Sequence, residues 1–334
     1  MTAEDLQKDL QGKGYTAEIY KKSKYLDDSI AESTGIWAGR HFETDDAIIF
    51  VGACGIAVRS IAPYVASKKS DPAVLVIDEC GKFVISLLSG HLGGANELTL
   101  EVAELLGAVP VVTTATDLHH RFAVDVFAKK NCCGIQNMKA AKEVSAALLA
   151  GEPVGFYSEF PWTGKLPEGL EESSEDTQDK PEIGIAVTIH PTCKPFTSTV
   201  QIIPRVVTLG MGCRRNKEAD VIEKEASVCL ADADIYSQAV EKLTSISIKK
   251  DEVGLQKLAE DWRIPFITFE EEELSHAEGE FTPSEFVKKI TGVNNVCERS
   301  AVLGAEQGRL IKNKTGRNGV TTALALRNWE VHFE

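Results

Sequence analysis

This sequence has no CxxC pair and no complete GxGxxG or GxxxxGK[ST] fingerprint. Nor does any apolar run approach the roughly 18 to 20 residues that span a bilayer. Each absence excludes a class. Without paired spacing, the eight cysteines form neither a disulfide framework nor a zinc knuckle, although Cys132 and Cys133 are adjacent. The seven histidines show no ligand spacing either, so no protein metal site is expected. A dinucleotide site or P-loop is poorly supported for want of its glycines. Basic residues are also short, 36 against 50 acidic ones. The resulting charge of −14 argues against nucleic acid, whose affinity rests on neutralising phosphates with Lys and Arg. The opening "MTAEDLQKDL" lacks the basic and apolar regions of a secretory signal. With no membrane span, the expected location is the cytoplasm.

What is present is ordinary for a globular chain: 334 residues, 43% hydrophobic and 26% charged, long enough for two domains. Short β-branched runs ("DAIIFVG", "AVLVID", "KFVISLL", "VPVVTTA") alternate with helical spacing in "GANELTLEVAELLG" and "MKAAKEVSAALLAG". That alternation predicts an α/β fold with mostly parallel sheets. "IDECGKFVI" interrupts it and predicts a hairpin, hence at least one antiparallel pair. The acidic stretch "EGLEESSEDTQDKPE", residues 168–182, has almost no apolar residue and reads as a solvated linker between two halves, mobile around Glu171 to Asp179. Strands "GIAVTIH" and "STVQIIP" follow. A second α/β pattern then begins at "RVVTLGMGCRRNKEADVIEKEA" and ends in "GVTTALALRNWEV". The expected architecture is two tandem three-layer α/β domains, residues 1–150 and 205–334, with a small middle region and acidic linker at 151–204.

Both halves place glycines between a strand and a helix, where the helix N-terminus offers N–H groups to an anion. The candidates are Gly52 and Gly55 in "FVGACGIAVRSIAP", Gly90, Gly93 and Gly94 in "SGHLGGAN", and Gly210 and Gly212 in "LGMGCRRNK". His91 is either a proton carrier or a helix cap, and Asn96 either a ligand contact or a cap. Asp78, Glu79 and Asp117 end strands and either face one crevice or serve turns. Arg59, Arg121, Arg214 and Arg215 bind carboxylates or pair on the surface. Cys213, read as sitting at a helix N-terminus, has a setting that lowers a thiol pKa but lacks a visible base.

Together "FVGACGIAVRSIAP", "VIDECGKFVISLLSGHLGGANELT", "VPVVTTATD" and "LGMGCRRN" resemble the cobalt-precorrin-5A hydrolases, the CbiG family of cobalamin biosynthesis. The resemblance runs from about Tyr15 to the C-terminal strand and is strongest in the GHLGGAN block. It is looser over Gly151 to Pro204 and beyond the arginines, where "NNVCERSAVLGAE" and "GVTTALAL" match. The family pattern also has a short apolar strand and glycine turn first, whereas this chain opens on "TAEDLQKDLQGKG". A displaced start or a lost first strand, with its glycines, would account for that.

The resemblance implies opening of the δ-lactone of a cobalt-bearing contracted tetrapyrrole in the oxygen-independent route to cobalamin. The extruded meso carbon leaves with its methyl group as acetaldehyde, giving cobalt-precorrin-5B. Cobalt arrives inside the anionic substrate, so no cofactor is expected. The expected partner is the substrate, with other enzymes of the pathway as further candidates. The chemistry suggests His91 as general base, oriented by Asp78, Glu79 or Asp117, with the Gly93 and Gly94 amides at the oxyanion. Gly52, Gly55, Arg59, Gly90, Asn96, Thr114, Gly210 and Gly212 would line the substrate site, and Arg214, Arg215 and Lys217 would receive its carboxylates in a crevice between domains. A non-catalytic tetrapyrrole carrier would use the same turns without needing His91, and a nucleotide-binding enzyme would respond to NAD or ATP.

Overall fold

The structure, a computed structural model, describes residues 3–67, 70–91, 93–113, 122–174, 177, 179–284 and 292–333. It divides into two units, Met1–Val126 and Phe127–Glu334. No helix among the described residues is long and apolar enough to cross a membrane.

The first unit is built on a four-stranded sheet in the order β1-β2-β3-β4: β1 (Ala47–Val51), β2 (Ala73–Ile77), β3 (Phe83–Leu88) and β4 (Val109–Val111). β2 is buried along its whole length, which is why its sequence AVLVI reads as an unbroken apolar run. The side chains of β2 still alternate between two cores. Leu75 and Ile77 pack with Leu6 and Leu10 of α1 (Ala3–Gly12) and Val102 of α4 (Ala95–Leu106). Val74 and Val76 pack with Ala38 and Phe42 of α2 (Thr34–Thr44) and Ala57 and Ile61 of α3 (Cys54–Ile61). Helices on both faces make this unit three-layered. β1 and β2 run parallel, as do β3 and β4, but β2 and β3 are the antiparallel hairpin predicted from "IDECGKFVI". That reversal decides where the site residues fall.

The second unit holds two five-stranded sheets. The middle one has the order β5-β10-β9-β6-β8. Its strands are β5 (Cys133–Gln136), β6 (Val154–Ser158), β8 (Leu170–Glu172), β9 (Ile183–Val187) and β10 (Ser198–Pro204), all parallel except β5. β5 and the helix α6 (Met138–Ala150) lie within the span assigned to the first domain from sequence. β5 hydrogen-bonds to β10 and α6 packs on β9 and β10, which makes both part of this sheet. The acidic run begins as β8, whose Leu170 is buried, and connects β8 to β9 of one sheet instead of linking two halves. Among the residues expected to be mobile, 175, 176 and 178 lie outside those described.

The C-terminal sheet has the order β13-β12-β11-β15-β14. It comprises β11 (Val207–Cys213), β12 (Val240–Ile246), β13 (Phe266–Phe269), β14 (Arg309–Arg317) and β15 (Val320–Leu326). Helices α7 (Ala219–Asp232), α8 (Val253–Trp262), α9 (Glu271–Ser275) and α10 (Cys297–Gly304) accompany it. α10 crosses β11 so closely that a Cβ on Gly210 would lie 1.9 Å from the Cys297 carbonyl oxygen. The buried Glu298 carboxylate accepts from Thr282 N (2.6 Å) and Oγ1 (2.8 Å), Asn295 Nδ2 (2.7 Å) and Lys314 N (2.6 Å), so this charge is fully partnered. After β15 the chain returns to the middle sheet. Beside it, in a separate two-stranded sheet, β16 (Val331–His332) pairs with β7 (Trp162–Thr163), Asn131 Nδ2 donates to the His332 carbonyl, and Phe333 stacks on Phe127 at 4.9 Å.

Candidate active site

The GHLGGAN stretch is the turn from β3 into α4, and it closes on itself. Gly94 N–H donates to the His91 carbonyl (3.0 Å), Ala95 N–H to Ser89 O (3.1 Å), and Asn96 N–H to Gly90 O (3.0 Å). These amides, which α4 would otherwise leave open at its N-terminus, are thus engaged inside the turn. The Gly94 amide expected at an oxyanion is therefore already committed. Glycine is required by the turn's own packing. Gly94 has φ 83°, and a Cβ on Gly93 would come within 2.3 Å of Ser89 Cβ and 2.8 Å of Ser89 O. Asn96 is buried, presses against Gly90, and accepts from Ser86 Oγ at 2.6 Å, bracing the turn from beneath.

The turn holds His91 at the sheet edge with its side chain 17% exposed, and its Nδ1 lies 3.5 Å from Oδ1 of Asp125, itself 14% exposed. Asp125 belongs to the first turn of α5 (Val124–Lys130). An imidazole facing a carboxylate across such a gap is held in orientation and can accept a proton with its charge compensated. Sequence reasoning missed Asp125. Its only signal, an acid in the first turn of "VDVFAKK", is the ordinary signature of a helix start.

The carboxylates expected beside His91 lie elsewhere. Because β3 runs antiparallel to β2, pairing Val74 with Leu88 and Ile77 with Val84, the turn at Asp78 and the turn at His91 occupy opposite edges of the sheet. The intervening strand β3 spans on the order of 17 Å. Asp78 caps its hairpin, accepting from the amides of Phe83 (2.6 Å), Lys82 (2.7 Å) and Cys80 (3.1 Å). The Phe83 amide foremost, helped by the other two, holds its carboxyl below the usual carboxylate range. Glu79 is exposed in the same hairpin. Gly52, Gly55 and Arg59 share that far edge, since β1 is parallel to β2. Gly52 N–H donates to Ile77 O at 2.7 Å, and the Arg59 guanidinium folds back over Gly55. Asp117, Thr114 and Arg121 lie outside the described residues.

In the second unit, Gly210 and Gly212 are interior to β11 and do not form a helix-entry turn. Gly210 admits α10, and a Cβ on Gly212 would meet Thr321 Oγ1 at 2.8 Å. Cys213 ends the strand well short of α7, and burial pushes its thiol up to about 11, the opposite of an activated nucleophile. Arg214 and Arg215 are exposed on the turn that follows. Glu252 staples that turn, accepting from the amides of Asn216 and Lys217 and pairing with Lys249 at 2.9 Å. Burial alone would raise its pKa, but these donors hold it below the ordinary value.

Three family models match along the chain: cobalamin synthesis G N-terminal over residues 37–117, cobalamin biosynthesis central region over 122–204, and cobalamin synthesis G C-terminus over 207–325. A cobalt-precorrin-5A hydrolase from Salmonella typhimurium is 37% identical over 86% of this chain and 84% of its own length. The chain belongs to the cobalt-precorrin-5A hydrolase (CbiG) family. Another member, from Priestia megaterium, is 35% identical over 85% of this chain and 79% of that protein. A crystal structure of a cobalamin biosynthesis protein G homolog from Sulfolobus solfataricus aligns over 97% of this chain and 92% of that one, at 22% identity and a TM-score of 0.40. Within this CbiG-family chain, the His91 turn and Asp125 fall in two successive matched regions, the N-terminal and the central.

Proposed function

We propose that this enzyme hydrolyses cobalt-precorrin-5A in anaerobic cobalamin biosynthesis, with His91 and Asp125 as the proton-handling pair. The observation that carries the assignment of roles is the 3.5 Å approach of His91 Nδ1 to Oδ1 of Asp125. Support for the substrate comes from the names of the two relatives above. Water adds to the lactone carbonyl as His91 takes its proton, and the carbon–oxygen bond of the lactone breaks to leave a carboxylate and a hydroxyl. That hydroxyl gives up its proton as the carbon–carbon bond to the macrocycle breaks. Acetaldehyde leaves, and the ring carbon is protonated to give cobalt-precorrin-5B. Asp125 offsets the imidazolium charge between steps. Cobalt enters and leaves with the tetrapyrrole, and the reaction takes place in the cytoplasm. The test is anaerobic incubation with cobalt-precorrin-5A and assay of acetaldehyde. Binding of the tetrapyrrole without acetaldehyde would instead identify a carrier.

A further inference from the structure

The second unit contains a cavity of about 820 Å³. It opens at the carboxyl ends of β6 and β9, neighbouring parallel strands of the middle sheet, and Tyr157, Glu159, Ile189 and His190 line it. From β6 the chain proceeds to β8 on one side, whereas from β9 it proceeds to β10 on the other. Such a divergence is a topological switch point, the place where open parallel sheets leave a ligand crevice. The opposite wall comes from the C-terminal sheet, with Arg309 at the start of β14 and Trp329 beyond β15.

The walls are set in advance of any ligand. Gln201 Nε2 donates to the carbonyls of His190 (3.1 Å) and Cys193 (2.9 Å), fixing the loop that carries His190. Phe196 anchors the same loop in a slot made by Gly155 and Gly184, where a Cβ on either glycine would lie within 2.3 Å of the ring. His190 Nδ1 contacts the Asp234 carbonyl at 2.7 Å. Since a carbonyl only accepts, Nδ1 carries the proton and Nε2 of the neutral ring is an acceptor. Trp329 stands edge-on to Phe160, with centroids 5.2 Å apart at 84°.

The charges sort into committed and uncommitted. Arg327 pairs with Glu241 at 3.2 Å, Glu159 accepts from the Ile189 amide at 3.4 Å, and Glu330 is 49% exposed to water beside His332. Arg309 forms no ion pair or side-chain hydrogen bond among the described residues. An uncommitted guanidinium in a cavity that Trp329 also lines suits a flat ligand with a carboxylate on its rim. The cavity's size sits near the top of the roughly 300 to 1,000 Å³ range of small-molecule sites, which favours an extended ring over a single small acid.

We infer that this cavity binds a carboxylate-bearing tetrapyrrole, with Arg309 on a rim carboxylate and Trp329 against the macrocycle; the choice of tetrapyrrole rests on the proposed reaction. The test is titration of the full chain with metal-free uroporphyrin, an octacarboxylate, followed by the porphyrin's own absorbance at low and high salt. Arg309→Ala should weaken binding roughly 10- to 100-fold, the range of a charge-assisted hydrogen bond, and flatten its salt dependence. Arg309→Lys should restore part of the loss, and Trp329→Leu should weaken binding with its salt dependence intact. No binding by the wild-type chain, or equal affinity in folded Arg309→Ala and Trp329→Leu proteins, overturns the inference. Acetaldehyde release by the wild-type enzyme reports separately on the reaction. A failed cavity with intact turnover therefore differs from an occupied cavity without turnover.

Discussion

At one edge of the first sheet the Asp78 carboxylate is wrapped by three backbone amides, whereas at the other the Asp125 carboxylate faces an imidazole at 3.5 Å. Both residues are aspartates beside a chain reversal or helix start. The first holds a hairpin together and the second is placed to compensate charge on His91. The difference teaches that an acid adjacent in sequence to a tight turn is taken up by that turn. The partner of a reactive side chain is more readily supplied by a separate element docked against it.

The sharpest way to break this comparison is His91→Asn, which keeps a polar side chain but cannot carry a proton at neutral pH. Acetaldehyde release should fall roughly 100-fold or more, the usual size of a general-base contribution, while circular dichroism stays unchanged. Wild-type turnover in that variant would remove His91 from the chemistry.

Next in size is Asp125→Asn, which should lower turnover on the order of 10-fold, since compensation of the imidazolium is lost while the base remains. The pH at which activity falls on the acid side should move down, because the neutral amide no longer favours the protonated ring. An unmoved pH profile would make Asp125 a structural neighbour only.

Gly93→Ala probes the turn itself. The added methyl meets Ser89 Cβ at 2.3 Å and Ser89 O at 2.8 Å, so overpacking should cost about 1 to 3 kcal/mol in denaturant unfolding. Displacement of His91 should reduce turnover in step.

The smallest effect belongs to Asp78→Ala, which should leave turnover unchanged and only lower the melting temperature. Its carboxyl is depressed in the folded state, so its contribution is fully present above the ordinary value of 3.8 and is lost as the pH falls through the folded value. The melting difference from wild type should therefore shrink below that pH. Loss of turnover in Asp78→Ala would overturn the separation of the two edges.

The strands of the first sheet were legible because β-branched runs bounded by turn residues leave little alternative, and the hairpin was legible from Glu79, Cys80 and Gly81. What that hairpin does to the site was not read from it. Gathering Asp78, Glu79 and His91 at one crevice assumes that β2 and β3 end on the same side, and their antiparallel pairing defeats the assumption. Glycines misled for a related reason: Gly210 and Gly212 are small to admit α10 and Thr321, contacts made by residues distant in sequence. The acidic run was assigned by composition, yet one buried leucine, Leu170, turns its start into a strand. Asp125 carried no pattern beyond a helix start, because what distinguishes it is His91, 34 positions earlier in the chain.

The contacts of residues 331–333 with Asn131, Phe156 and Trp162 bear on the order in which the protein can assemble during synthesis. Asn131 and His332, 201 positions apart, are held together by paired hydrogen bonds, and β7 has no partner strand until β16 has been made. While a ribosome is still extending the chain, Trp162 and Phe156 lack the Phe333 ring that later packs against both. That part of the aromatic core stays uncovered until Phe333 emerges.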